Sequence, residues 1–258
     1  MQSGWLLPVY GLVVGLLVGL TGMGGGVLMT PLLMLGLGMP ATAAVGTDLA
    51  YSTLTKLVGS WQHLRQGTVD LRVVRGLAVG SLPATAIAVG LLSWLRGSYA
   101  AQVDDILKRG IGIMLSVAAL LMLRRLLLQR GEHESTIDRI ARHSTAKLAA
   151  IGALGGFAVG LTSIGSGSLI IALLVMTVPL RADRLVGTDV THAFLLVGVA
   201  AIGHLFLGDV NVGLAAKLLI GSVPGVLIGS RLTTWVPRRP LQIGLAGLLL
   251  STAVTLLR

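Results

Sequence analysis

The sequence predicts an all-α polytopic membrane protein: two inverted-topology repeats of about five hydrophobic segments each, with paired short re-entrant or broken helices. Three observations carry this. The chain is 54% hydrophobic, 12% charged, and has a mean hydropathy of +0.88, whereas soluble domains carry roughly 25% charged residues. No Lys, Arg, Asp or Glu precedes Asp48. A shift of 141 residues then lays the second half of the chain on the first without a gap. The apolar runs are continuous, which excludes the short alternating strands of a membrane β-barrel.

The apolar segments fall at 5–20, 27–38, 43–64, 73–95, 110–128, 148–162, 169–180, 185–207, 212–235 and 240–257. A spanning helix needs roughly 20 residues, so 27–38 and 169–180 are too short to cross comfortably. Each follows a glycine-rich break and reads as a half-helix. Residues 1–128 form the first transmembrane repeat, 129–147 a polar cytoplasmic linker, and 148–258 the second repeat. His133 and His143 lie in that linker and read as solvated. One side of the alternating connections collects most of the arginine and lysine. The other holds only Arg96, Lys108, Arg109 and Arg258. Positive charge stays in the cytoplasm, so both termini are expected outside it. The start of the chain has no basic region, so a cleaved signal is not expected. The net charge of +10 is explained by these loops rather than by a nucleic-acid partner. Cysteine is absent, which removes disulfides and thiolate metal sites.

The repeat is dense. Gly11, Gly15 and Gly19 map to Gly152, Gly156 and Gly160. Val45-Gly46-Thr47-Asp48 maps to Val186-Gly187-Thr188-Asp189. His63 maps to His204, and Gly80-Ser81 with Pro83 to Gly221-Ser222 with Pro224. Each half makes an odd number of crossings, so the second enters the membrane upside down. Inverted repeats with interrupted helices point to a secondary transporter, with its substrate near the midplane.

The breaks supply the candidate chemistry. "GLTGMGGG" (Gly19–Gly26) contributes Thr21, Gly22, Gly24, Gly25 and Gly26. "GLTSIGSG" (Gly160–Gly167) with the next residue contributes Thr162, Ser163, Gly165, Ser166, Gly167 and Ser168. A helix beginning inside the membrane exposes N–H groups and the positive end of its dipole, which suits an anion. The hydroxyls add donors. Gly11/Gly15/Gly19, Gly152/Gly156/Gly160 and Gly221/Gly225/Gly229 instead have the small-residue spacing of close helix packing. Ionisable groups inside the membrane are expensive and mark function. Asp48 and Asp189 can carry a proton or bind a coupling cation, and Asp48 can alternatively cap the third segment. His192 lies one turn after Asp189, with no histidine opposite it in the first half. Lys56 and Lys217 are charge partners for an aspartate or an anion, or else they snorkel. His63 and His204 read as interfacial.

Enzyme motifs are missing. "GMGGGV" puts Val27 where a dinucleotide fingerprint needs glycine, and no nucleophile elbow or Walker motif is present. The chain is expected not to be an enzyme and to bind no cofactor or metal.

At "GLTGMGGGVLMTPLL" (Gly19–Leu33), "AAVGTDL" (Ala43–Leu49), the Gly67–Asp70 turn with "VGSLP" (Val79–Pro83), "GLTSIGSGSL" and "LVGTDV", the chain resembles the sulfite exporter TauE/SafE family of bacterial inner-membrane proteins. The resemblance covers essentially the whole chain. It implies ATP-independent movement of small sulfur-containing anions such as sulfite or organosulfonates. The serines of the second break depart from the glycines of the first and bear on anion choice. The expected partners are a small anionic substrate, membrane lipid and protons, and the reading leaves room for a homodimer. Competing readings are a passive anion channel, a transporter of another small oxyanion or carboxylate, and a membrane scaffold.

Overall fold

A computed structural model describes residues 6–21, 25–128, 144–167, 169–178, 180–232 and 238–258. Ten helices are described: α1 (Leu6–Thr21), α2 (Gly26–Gly36), α3 (Ala41–Arg65), α4 (Leu71–Tyr99), α5 (Val103–Leu128), α6 (Thr145–Thr162), α7 (Leu169–Thr177), α8 (Ala182–Phe206), α9 (Val212–Leu232) and α10 (Arg238–Leu257). The all-α expectation holds among the described residues. Six helices are long and apolar enough to cross a membrane: α4, α5, α6, α8, α9 and α10. At 25 residues α3 matches α8 in length, but Asp48, Ser52 and Lys56 make it more polar. Apolar side chains such as Val58, Ile87, Leu154, Phe206 and Ile220 stand exposed around the helices, as lipid-facing positions do. α5 begins at Val103, one to two turns before the apolar run that signals it, with Asp104 and Asp105 in its first turn. The 129–143 stretch, with His133 and His143, lies outside the described residues.

Local chemistry sets the ends. Pro31 interrupts α2, and Leu32–Gly36 continues it in π geometry, a form that relieves a disturbed ladder. Asp70 caps α4, accepting from Arg72 N–H at 2.9 Å and Val73 N–H at 3.3 Å. Its counterpart Asn211 caps α9, accepting from Leu214 N–H at 2.9 Å.

Helix directions follow from which residues touch. A methyl group placed on Gly11, Gly15 or Gly19 of α1 would overlap the backbone at Leu218, Ser222 or Val226 of α9. Both series ascend, so α1 and α9 run parallel. On α6, Gly152, Gly156 and Gly160 meet Leu77, Ser81 and Thr85 of α4 in the same way. Thr47 and Tyr51 of α3 meet Asn211 and Ser222 at α9, so α3 is parallel to α9. α3 and α8 are antiparallel: Gly46 abuts Asp209, and Gly59 abuts Val190. Thus α1, α3 and α9 point one way and α4, α6 and α8 the other. Because α1 and α3 are parallel, α2 must return to the side where α1 began.

The contacts themselves repeat at the 141-residue shift. Gly80 meets Ala149 where Gly221 meets Pro8. Asp70 N–H donates to Thr188 Oγ1 at 2.9 Å, and Asn211 N–H to Thr47 Oγ1 at 3.1 Å. The glycine stripes are therefore packing surfaces, as their spacing predicts. They join helices from different halves, α1 to α9 and α6 to α4, so the halves interlock around the central α3–α8 pair.

Candidate functional site

Asp48 lies two turns into α3, behind the cap position at Pro40, and is fully buried. That sets aside the reading of Asp48 as the cap. Its Oδ2 accepts from Thr30 Oγ1 of α2 at 2.7 Å and from Ser163 Oγ of the second break at 2.6 Å. Its Oδ1 accepts from Ser52 Oγ, one turn on, at 3.3 Å. Three hydroxyl donors can hold a buried carboxylate charged where water cannot.

The two breaks meet at this carboxylate. A methyl group on Gly26 would overlap the Ser163 carbonyl and lie 3.1 Å from Asp48 Oδ2. Only glycine lets the start of α2 come so close. Ser163 is left-handed, with φ 61, and Gly165 has φ 121. This turn ends α6, with Ser163 N–H on Val159 O at 2.8 Å. It also aims the serine hydroxyl across to α3. Thr162 is committed to the same end: its hydroxyl donates to Ala158 O at 2.7 Å and accepts from Ile164 N–H at 3.2 Å.

Lys56, 8% exposed, is the cation of the cluster. Its Nζ donates to Ser166 Oγ at 2.6 Å, and its charge acts on Asp189 and Asp48. Asp189 on α8 is buried, and its Oδ1 has no hydrogen-bond partner among the described residues. His192, one turn on and fully buried, places Nε2 2.8 Å from Ser81 Oγ of α4. Its Nδ1 and the nearby Thr191 hydroxyl have no partner among the described residues.

The structure thus gathers Gly26, Asp48, Lys56, Ser163 and Ser166 into one buried contact, with Asp189 and His192 beside Lys56. Gly25 is buried too, and a methyl group there would lie 3.1 Å from the Tyr51 ring. Gly167, with φ 108, shapes the second turn. Gly22, Gly24, Ser168 and the Thr21 side chain lie outside the described residues. Lys217 is not brought in: it lies on the exposed face of α9. His204 is buried rather than interfacial. Its Nε2 lies 2.9 Å from Gly160 O and its Nδ1 3.1 Å from Asp209 Oδ2, and Asp209 pairs with Arg96.

Sequence reasoning missed Thr30, Ser52, Tyr51, Ser81 and Ser222. The repeat register held a usable signal for three of them. Tyr51 stands opposite His192, and Ser81 opposite Ser222. The structure pairs Tyr51 with Ser222 as it pairs His192 with Ser81. The site of His192 is therefore duplicated with its residue changed.

A surface cavity of about 520 Å³ opens at the end where α3 and α9 begin, lined by Met39, Ala43 and Gly208 to Val212. Ala43 precedes Asp48 by some 7 Å along the helix at 1.5 Å per residue.

The profile described as Sulfite exporter TauE/SafE matches residues 7–256. The "Probable membrane transporter protein YjnA" of Bacillus subtilis is 43% identical over 96% of this chain and 97% of its own length. The "Probable membrane transporter protein YdhB" of the same organism is 29% identical over 92% of this chain and 95% of its own. A "Probable membrane transporter protein" of Xylella fastidiosa is 27% identical, covering 86% and 81%. No solved structure matches the chain. Six helices fit to cross a bilayer, together with this match, make it a multi-pass membrane protein. The chain belongs to the sulfite exporter TauE/SafE family.

Proposed function

We propose that this chain is a membrane transporter, not an enzyme, and specifically a secondary transporter that carries a small sulfur-containing anion, sulfite or an organosulfonate, across the bacterial inner membrane. The observation that carries the reading is the meeting of both helix breaks at Asp48, beside the buried Lys56. Ser166 is already hydrogen-bonded to Lys56, so an anion at Lys56 competes for a bond that exists. Proton coupling through one or more of Asp48, Asp189 and His192 is part of the proposal. So are the cytoplasmic placement of the 129–147 linker and the two termini outside. Opposed helix directions between the halves (α1 against α6, α3 against α8) support alternating access by inverted repeats.

The test is an anion panel on the purified protein. An anion that binds the folded state stabilises it by RT ln(1 + c/Kd), where c is its free concentration, and so raises the unfolding temperature. Sulfite or a sulfonate should do so, and Gly24→Leu and Gly165→Leu should each abolish the response. Full retention in both variants places the site elsewhere. In proteoliposomes, counterflow against trans substrate identifies a carrier, and its absence with downhill flux identifies a channel. Transport that ignores an imposed pH gradient removes the proton from the mechanism.

A further inference from the structure

The two equivalent aspartates have unequal surroundings. Asp48 has three hydroxyl donors: Thr30, Ser163 and Ser52. The positions 141 residues away that would serve Asp189 are Ile171, Gly22 and Ala193. None carries a side-chain donor. Lys56 likewise has no second copy, since Val197 stands opposite it. The one charge of Lys56 thus acts on both buried carboxylates, and Asp189 Oδ1 has no hydrogen-bond partner among the described residues.

From this asymmetry we infer that Asp189 alone carries the coupling proton, and that the substrate anion replaces its carboxylate as the counter-ion of Lys56, one proton entering with each anion. The inference rests on the transporter reading above. With both aspartates and Lys56 charged, the cluster holds one net negative charge. An anion arriving at Lys56 would add a second beside Asp189, and like charges in a dry site are costly. Protonating Asp189 restores the original charge. The loaded and empty sites are then electrically equal, so both can change orientation at similar energy. Asp48 keeps its hydroxyl donors throughout and serves as the clasp between the breaks. No covalent bond changes other than the O–H of Asp189, whose proton comes from water on one side and leaves to water on the other.

The groups facing Asp189 fit this role. α3 brings Lys56, on which Asp48 also acts, toward Asp189, and His63 beside Gly187. Asp70 touches Thr188 from the head of α4. α7 has no titratable residue, and the only one on α6, Lys147, is exposed at its start. His192 is the remaining neighbour. If Ser81 donates to Nε2, Nδ1 carries the ring proton and is a buried donor near Lys56. In that tautomer the site offers an ammonium and an N–H, which suits a monovalent oxyanion.

The probe is 2-hydroxyethanesulfonate, which is fully ionised and brings no proton of its own. Adding it to weakly buffered wild-type protein with a pH indicator should take up one proton per anion bound. Its affinity should fall about tenfold per pH unit once Asp189 ionises, as one-to-one linkage requires. Asp189→Asn should bind it with an affinity that no longer follows pH and should lose gradient-driven accumulation. Lys56→Gln should lose at least tenfold in affinity. No proton uptake by the wild type, or an unaltered pH slope in Asp189→Asn, overturns the inference and leaves the transporter standing. No binding or flux of any panel anion in the wild type defeats the transporter reading itself.

Discussion

Gly80 and Gly90 lie on the same helix, α4, and a single added methyl group should affect them in opposite ways. At Gly90 nothing lies within 4 Å of the new carbon. Gly90→Ala should therefore gain the helix-propensity difference, about 1 kcal/mol. At Gly80 the new carbon overlaps the Ala149 carbonyl oxygen and lies 2.6 Å from its carbon and 2.9 Å from its Cα. These are backbone atoms of α6 and cannot rotate away. Recovering an ordinary contact with that oxygen means separating the helices by more than about 1 Å, a gap that forfeits at least about half of each pairwise attraction. Overpacking of this kind costs about 1–3 kcal/mol. The propensity gain is common to both variants, so their difference isolates the overlap. Unfolding in mixed detergent micelles should place Gly80→Ala about 1–3 kcal/mol below Gly90→Ala. Gly221→Ala should fall equally low, since its methyl group meets Pro8 on α1 in the same way. Equal stability of Gly80→Ala and Gly90→Ala would refute backbone contact between α4 and α6.

Thr30→Val and Ser163→Ala each remove one donor from Asp48 and should each lower stability by about 1.5–3 kcal/mol, the range for hydrogen bonds to a charged group. Sharing one acceptor, they should not add, and a double-mutant cycle measures the coupling. Arg96→Gln leaves Asp209, 5% exposed at its side chain, without its cation. A loss near 3 kcal/mol in unfolding free energy is expected, and a change under 0.5 kcal/mol would show that His204 alone holds Asp209. Lys217→Gln, on the exposed face of α9, should stay within about 0.5 kcal/mol of wild type and keep the full anion-induced shift in unfolding temperature.

Features set by local pattern were legible in the sequence. Glycine breaks before short apolar runs gave α2 and α7, and small-residue spacing separated the packing glycines from those of the breaks. The matching tetrapeptides around Asp48 and Asp189 fixed the repeat register. Long-range geometry was not legible. Whether Asp48 was a cap depended on where α3 starts, and Pro40 set that start about two turns before Asp48. Its donors come from α2, α3 and the far break, which no spacing rule unites. Lys56 and Lys217 look alike in sequence, each a lone lysine among apolar residues. Helix rotation alone turns one inward and the other out. The return of the short pair could be read only once α1 and α3 were seen to run parallel.

Interlocked halves constrain the order in which the protein can be made. Gly11 packs on Leu218, so α1 enters the bilayer and waits there while most of the chain is synthesised. Until α9 arrives, its glycine face has no partner. The α4–α6 seam closes far earlier, because its strands of sequence are close together. Long-range closure of this kind is slow and leaves surfaces open to wrong partners. A ribosome stalled after residue 211 should therefore hold a nascent chain in which a cysteine introduced at the α4–α6 seam is protected from thiol labelling while one introduced on the glycine face of α1 is not.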